Sequence, residues 1–120
     1  MRKLETLITP SKLADHIGQR HAQDLVDASL AESCGASQRV VLNAPVVAAY
    51  RPENDALTKW IVLLVRGDYC ALTIYRDCET GEIVTGADCV CYTLESAKLW
   101  IAHQNAEKEG FSERYPRAAS

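Results

Sequence analysis

The residues in this chain that could do chemistry are five cysteines, three histidines and one knot of acidic side chains. Cys89-Val90-Cys91 sets two thiols two positions apart, on one face of an extended chain. With Cys70 and Cys78 earlier in a hairpin arrangement, four thiolates could hold a zinc ion. Structural zinc sites draw on closely spaced knuckle pairs, and the seven residues between Cys70 and Cys78 do not make one. The expectation is therefore that Cys70, Cys89 and Cys91 are reduced, buried and metal-free, packing as small hydrophobes. His16 and His21 are five apart and fall on different faces of a helix, so no helical ligand pair arises. A nucleophilic pair such as Cys91 with His103 has no local support. Asp77, Glu79 and Glu82 lack the spacing of a calcium loop and read as a solvated turn, or as an acidic contact for a basic partner. Phosphate-cradling glycine loops and the nucleophile-elbow turn are missing. The sequence thus predicts no catalytic residue, no cofactor and no metal. An enzyme is not expected.

The elements that would position these residues centre on 59–92. Lys59 to Arg66, a Gly67-Asp68 break, Tyr69 to Arg76, a turn over Asp77 to Gly81, and Glu82 to Tyr92 read as successive antiparallel strands. Trp60 to Val65 is apolar on both alternating sets, which marks a strand covered on both sides, or a central one whose second face is shielded by a helix or a partner chain. Gly86 predicts a bulge in the last strand. Thr93 should cap a helix whose buried stripe is Leu94, Ala97, Trp100 and Ile101, with Gly110 as its stop. Upstream, Thr9-Pro10 reads as a helix start, and helix is expected to about Ser33 with a bend near Gly18, where the hydrophobic phase shifts. Arg39 to Leu42 and Val46 to Tyr50 read as strand pieces separated by Pro45, and Pro52 stops the second.

The fold class is therefore α+β: an antiparallel sheet of three to four strands, with an N-terminal helical region and a C-terminal helix packed on it. Residues 1–110 form one domain and 111–120 a loosely ordered tail. A chain of 120 residues can bury a core without disulfides or metals. Its net charge of −3 argues against wholesale phosphate neutralisation. The start lacks the apolar run of a signal peptide, and Trp60 to Val65 is too short to cross a bilayer. With the odd cysteine count, this predicts a cytoplasmic protein without membrane contact.

Three resemblances bear on function. Leu13-Ala14-Asp15-His16-Ile17-Gly18 resembles the first helix and turn of helix-turn-helix DNA readers, but Gln19, Asp24 and Asp27 depart from that family's next helix, and the acids there would repel phosphate. The α-β-β-β-α order resembles double-stranded-RNA-binding domains, without their basic cluster, since Lys98 stands alone. The strand running into Thr93-Leu94-Glu95-Ser96-Ala97-Lys98-Leu99-Trp100 resembles the ends of small α+β accessory proteins of phages and mobile elements. That likeness implies a role such as inhibiting a host defence complex.

The function expected is that of a non-catalytic protein-binding accessory protein. If both helical regions share one side of the sheet, the other side keeps an apolar patch from Trp60, Val62, Leu64, Tyr69 and Tyr75, beside Asp77, Glu79 and Glu82. That patch predicts a homodimer or an obligate protein partner. One alternative is nucleic-acid binding by the N-terminal helices, with Lys12, His16 and Arg20 at i, i+4 and i+8 facing phosphate. Nucleic acid is the weaker partner on charge. The other is a thiol- or zinc-containing protein.

Overall fold

The computed structural model of the chain describes residues 3–7, 11–53, 55 and 57–114, with side chains as far as residue 106. Its centre is the hairpin of β4 (Thr58–Val65) and β5 (Asp68–Arg76), with Val65 opposite Asp68. The two loop residues, Arg66 and Gly67, have φ of 52° and 85°. Two left-handed residues in a two-residue loop match the right-handed twist of the flanking strands. β6 (Ile83–Cys91) follows antiparallel to β5 after a turn held by Asp77, whose Oδ1 accepts the backbone N–H groups of Glu79 (2.7 Å) and Thr80 (3.2 Å). Between Leu72 and Ile74 the pairing slips from Asp88 to Thr85, so Gly86 and Ala87 together oppose Thr73. This is the bulge that Gly86 predicts. A Cβ on that glycine would lie 3.4 Å from the Tyr75 ring.

β3 (Pro45–Pro52) pairs with β4 on one side and opens and closes on a proline. Its other side is paired by two short pieces in line, β1 (Leu4–Thr6) and β2 (Ser11–Lys12), with the Leu7 N–H donating to the Ala49 carbonyl at 2.8 Å between them. The sheet is fully antiparallel in the order β1-β3-β4-β5-β6, with β2 also on β3. Among the described residues six strands replace the three to four expected. β1 and β2 are three and two residues long, below the length at which alternation can be read.

Helices fill the stretch between β2 and β3. α1 (Leu13–Ile17) ends at Gly18, φ 89°, and α2 (Gln19–Leu25) restarts immediately, which places the bend where the hydrophobic phase predicted it. A second break follows, because Asp27 caps α3 (Ala28–Ser33) by accepting the Leu30 N–H at 2.9 Å. Gly35 (φ 70°) lies just beyond its end. The expected Thr9-Pro10 start lies outside the described residues, and Ser11 and Lys12, expected to be helical, instead pair with β3 as β2, so helix begins only at Leu13.

Residues 39–42 are not a strand. They lie in α4 (Gln38–Asn43), where the Ser37 hydroxyl accepts the Val40 N–H at 3.3 Å and Val41 is fully buried. A side-chain cap and one anchored apolar residue override the β-preference of Val40-Val41. α5 (Leu94–Arg114) begins at Thr93, whose hydroxyl accepts the Ser96 N–H at 3.1 Å. It continues through Gly110, so that glycine does not stop it, and residues 111–114 of the expected tail are helical. Among the described residues no helix is long and apolar enough to cross a membrane.

The core has two layers. Leu13, Ala22, Val26, Leu30 and Val41 pack on Ile61, Leu63, Val65, Leu72 and Ile74 from one face of the sheet. Ala97 and Ile101 of α5 pack on Trp60, Val62, Ala71 and Ala48 from the other. The helical regions therefore split across the sheet, and the open apolar face expected from a shared side does not exist. Both alternating sets of β4 are covered by the chain itself, as its two-sided apolar pattern requires.

Candidate functional site

Helices on both faces redistribute the residues expected to bind a partner. Trp60 and Val62 are 0% exposed under α5, and Leu64 and Tyr69 are half-buried. Trp60 meets Trp100 edge-to-face, with ring centroids 5.9 Å apart and planes at 84°. Trp60, Val62 and Tyr69 belong to the second core layer and its margin. Tyr75, Glu79 and Glu82 are exposed and Asp77 is half-buried, at the β5–β6 turn on the far end of the sheet.

The basic stripe does not assemble. Gly18 separates Lys12 and His16 from Arg20, so the three do not share one helix face. Lys12 is the cap residue of α1, its Nζ donating to Asn43 Oδ1 at 3.3 Å and its backbone N–H to Asp15 Oδ2 at 3.0 Å. His16 is half-buried, with Nε2 2.8 Å from Ser11 Oγ. Burial first, then the Lys59 charge, holds its imidazole below the usual histidine range, against an opposing pull from Asp15.

The thiols fall into two pairs on opposite faces. Cys89 and Cys91 share a face, with sulfurs 3.8 Å apart, and both are only half-buried. Cys70 lies opposite Val90 and packs in the other layer, where its thiol pairs with that of buried Cys34. That thiol–thiol contact, reinforced by burial, pushes Cys70 up, while Cys34 is lowered. Because Cys70 faces away from Cys89 and Cys91, and Cys78 is exposed in the turn, the four-thiolate arrangement does not form. The Cys34–Cys70 meeting was not legible in sequence, since 36 positions separate the two residues.

Two surface features remain. The first is the outer edge of β6, beyond which no strand pairs among the described residues. β6 carries one charge, Asp88, and neither lysine nor proline, the residues that ordinarily protect an edge. Past the bulge it pairs with β5 in unbroken register from Asp88 to Cys91. Large apolar side chains are exposed within and just after this segment, Val90 at 44% and Tyr92 at 88%, and Leu99 of α5 is 71% exposed.

The second is a cleft of about 190 Å³ where α1 ends over the strands. His16, Ile17, Leu57, Lys59, Ile74, Tyr75, Arg76 and Ile83 line it. Lys59 donates from Nζ to the His16 carbonyl at 2.7 Å. Its ammonium is held below the usual lysine range by burial first, then by Arg51 and Arg76.

Comparison with protein families, curated proteins and solved structures finds no match. The site must be argued from its own chemistry.

Proposed function

We propose that this is a non-catalytic protein-binding protein that captures an extended segment of its partner along the outer edge of β6. The carrying observation is an edge strand with no strand partner among the described residues and with neither lysine nor proline, with Val90 and Tyr92 exposed at its end. An edge strand presents unpaired backbone donors and acceptors, and a peptide laid antiparallel or parallel to it satisfies both chains. Neighbouring apolar side chains then supply pockets for alternate residues of the added strand. The bulge at Gly86 and Ala87 limits the regular part of the edge to 88–91, so the bound segment would be short.

The likeness of the β6–α5 junction to accessory proteins of phages and mobile elements gives this role its form. An inhibitor that adds itself to a strand of a host defence complex is the version we favour. A second copy of the chain, edge to edge, is another partner the same strand accepts.

The test is a capture experiment from host lysate with tagged wild-type protein, Val90→Lys and Tyr92→Glu. Both positions are exposed, so the variants should fold. A defined partner held by the wild type and lost by both variants supports the reading. Equal capture by all three, or none by the wild type together with a monomeric mass by light scattering, overturns it.

A further inference from the structure

We infer that the cleft between the end of α1 and strands β4 and β5 is a binding site for a small carboxylate carrying an apolar group. The inference is independent of the β6 edge past the bulge, since the cleft takes only Ile83 from that strand, at its opposite end.

Four observations converge on that chemistry. Half-buried Lys59 spends one of its three N–H donors on the His16 carbonyl, and no carboxylate is paired with it among the described residues. Arg76, the second cation of the lining, likewise has no ion pair among the described residues. Arg51 adds positive charge nearby while its own guanidinium is held by Glu5 at 2.9 Å. No carboxylate is part of the lining: Asp15, which acts on His16 from outside it, accepts the Lys12 backbone N–H at 3.0 Å, and Asp77, Glu79 and Glu82 are absent from it.

A partly desolvated ammonium beside a guanidinium, without an acid, is a poorly compensated arrangement that an anion relieves. The remaining walls decide which anion. Ile17, Leu57, Ile74 and Ile83 are apolar, so a bare hydrated ion would forfeit solvation on those sides. A carboxylate with an aliphatic or aryl body places its charge between Lys59 and Arg76 and its hydrocarbon against the isoleucines. The volume greatly exceeds the about 15 Å³ one water needs, which leaves room for such a body.

The experiment is a two-dimensional amide NMR titration of the full chain with hexanoate, hexanamide and inorganic phosphate at matched ionic strength. Hexanoate should shift the amides of residues 16, 17, 59, 74, 76 and 83 saturably, and Lys59→Gln should weaken that binding at least tenfold. Arg76→Gln, at an exposed position, gives a second check if Lys59→Gln disturbs the fold. A peptide ending in a free leucine carboxylate, against the same peptide amidated, shows whether the source is a chain terminus or a free acid. Equal shifts with hexanamide would reduce the cleft to an apolar pocket, and equal shifts with phosphate to a nonspecific cationic one. Either result, or no saturable shift with hexanoate and the free-acid peptide, overturns the proposal.

Discussion

Replacing Trp60 by alanine probes the second core layer most sharply. The side chain is fully buried beneath α5, with Val62, Ala71, Ala97 and Ile101 in the same cluster and Trp100 in edge-to-face contact. Truncating a buried tryptophan removes its transfer free energy and leaves a void, together about 3–5 kcal/mol. The aromatic contact supplies about 0.5–1.5 kcal/mol of that. Trp100 is only half-buried, so Trp100→Ala should cost less, about 1–3 kcal/mol. The sequence places Trp100 in the buried stripe of the last helix, whereas the structure leaves it half-buried at the margin of this layer. Urea denaturation followed by circular dichroism measures both losses, and the double variant gives their coupling. Trp60→Phe serves if the alanine variant is too unstable to fold. A loss below about 1 kcal/mol for Trp60→Ala, or a larger one for Trp100→Ala, would mean α5 does not cover this face.

Other changes test other parts of the structure. Arg66→Asn should stabilise by about 0.5–1 kcal/mol, because arginine at φ 52° is strained in a loop that favours Asn-Gly, and the urea midpoint reports it. Thr73→Val should leave stability unchanged or raise it by about 1 kcal/mol, since the fully buried Thr73 hydroxyl has no hydrogen-bond partner among the described residues. His16 is lowered from 6.5 by burial and Lys59, so the unfolded chain binds the extra proton more readily. Its contribution is therefore complete above pH 6.5 and is lost as pH falls from there through the folded value, a loss that His16→Gln should remove from the pH–stability curve. A thiol reagent under native conditions should label Cys78 first, Cys89 and Cys91 more slowly, and Cys34 and Cys70 last.

How much of this was legible in sequence depends on whether the cause is local. The β4–β5–β6 meander, the Gly86 bulge, the Gly18 bend and the Thr93 cap each follow from a few adjacent residues, and the structure shows them where those residues stand. α4 is not legible in the sequence because Val40-Val41 favours a strand until Ser37 and the burial of Val41 decide otherwise. The side on which α5 packs depends on how the chain leaves β6, and no periodicity encodes that. Yet the two-sided apolar pattern of Trp60 to Val65 already called for cover on both faces. The candidate surfaces were less legible than the fold. An open edge is defined by a strand that fails to pair, and the cleft joins Lys59 to His16 across 43 positions.

Hydrogen–deuterium exchange on the protein alone and with its captured partner tests the central claim most directly. Edge pairing predicts that the amides of 87–92 slow on binding, because their outward N–H groups acquire acceptors, while 58–65 in the sheet centre stay unchanged. Unaltered exchange across 87–92, with protection appearing elsewhere on the surface, would contradict the account.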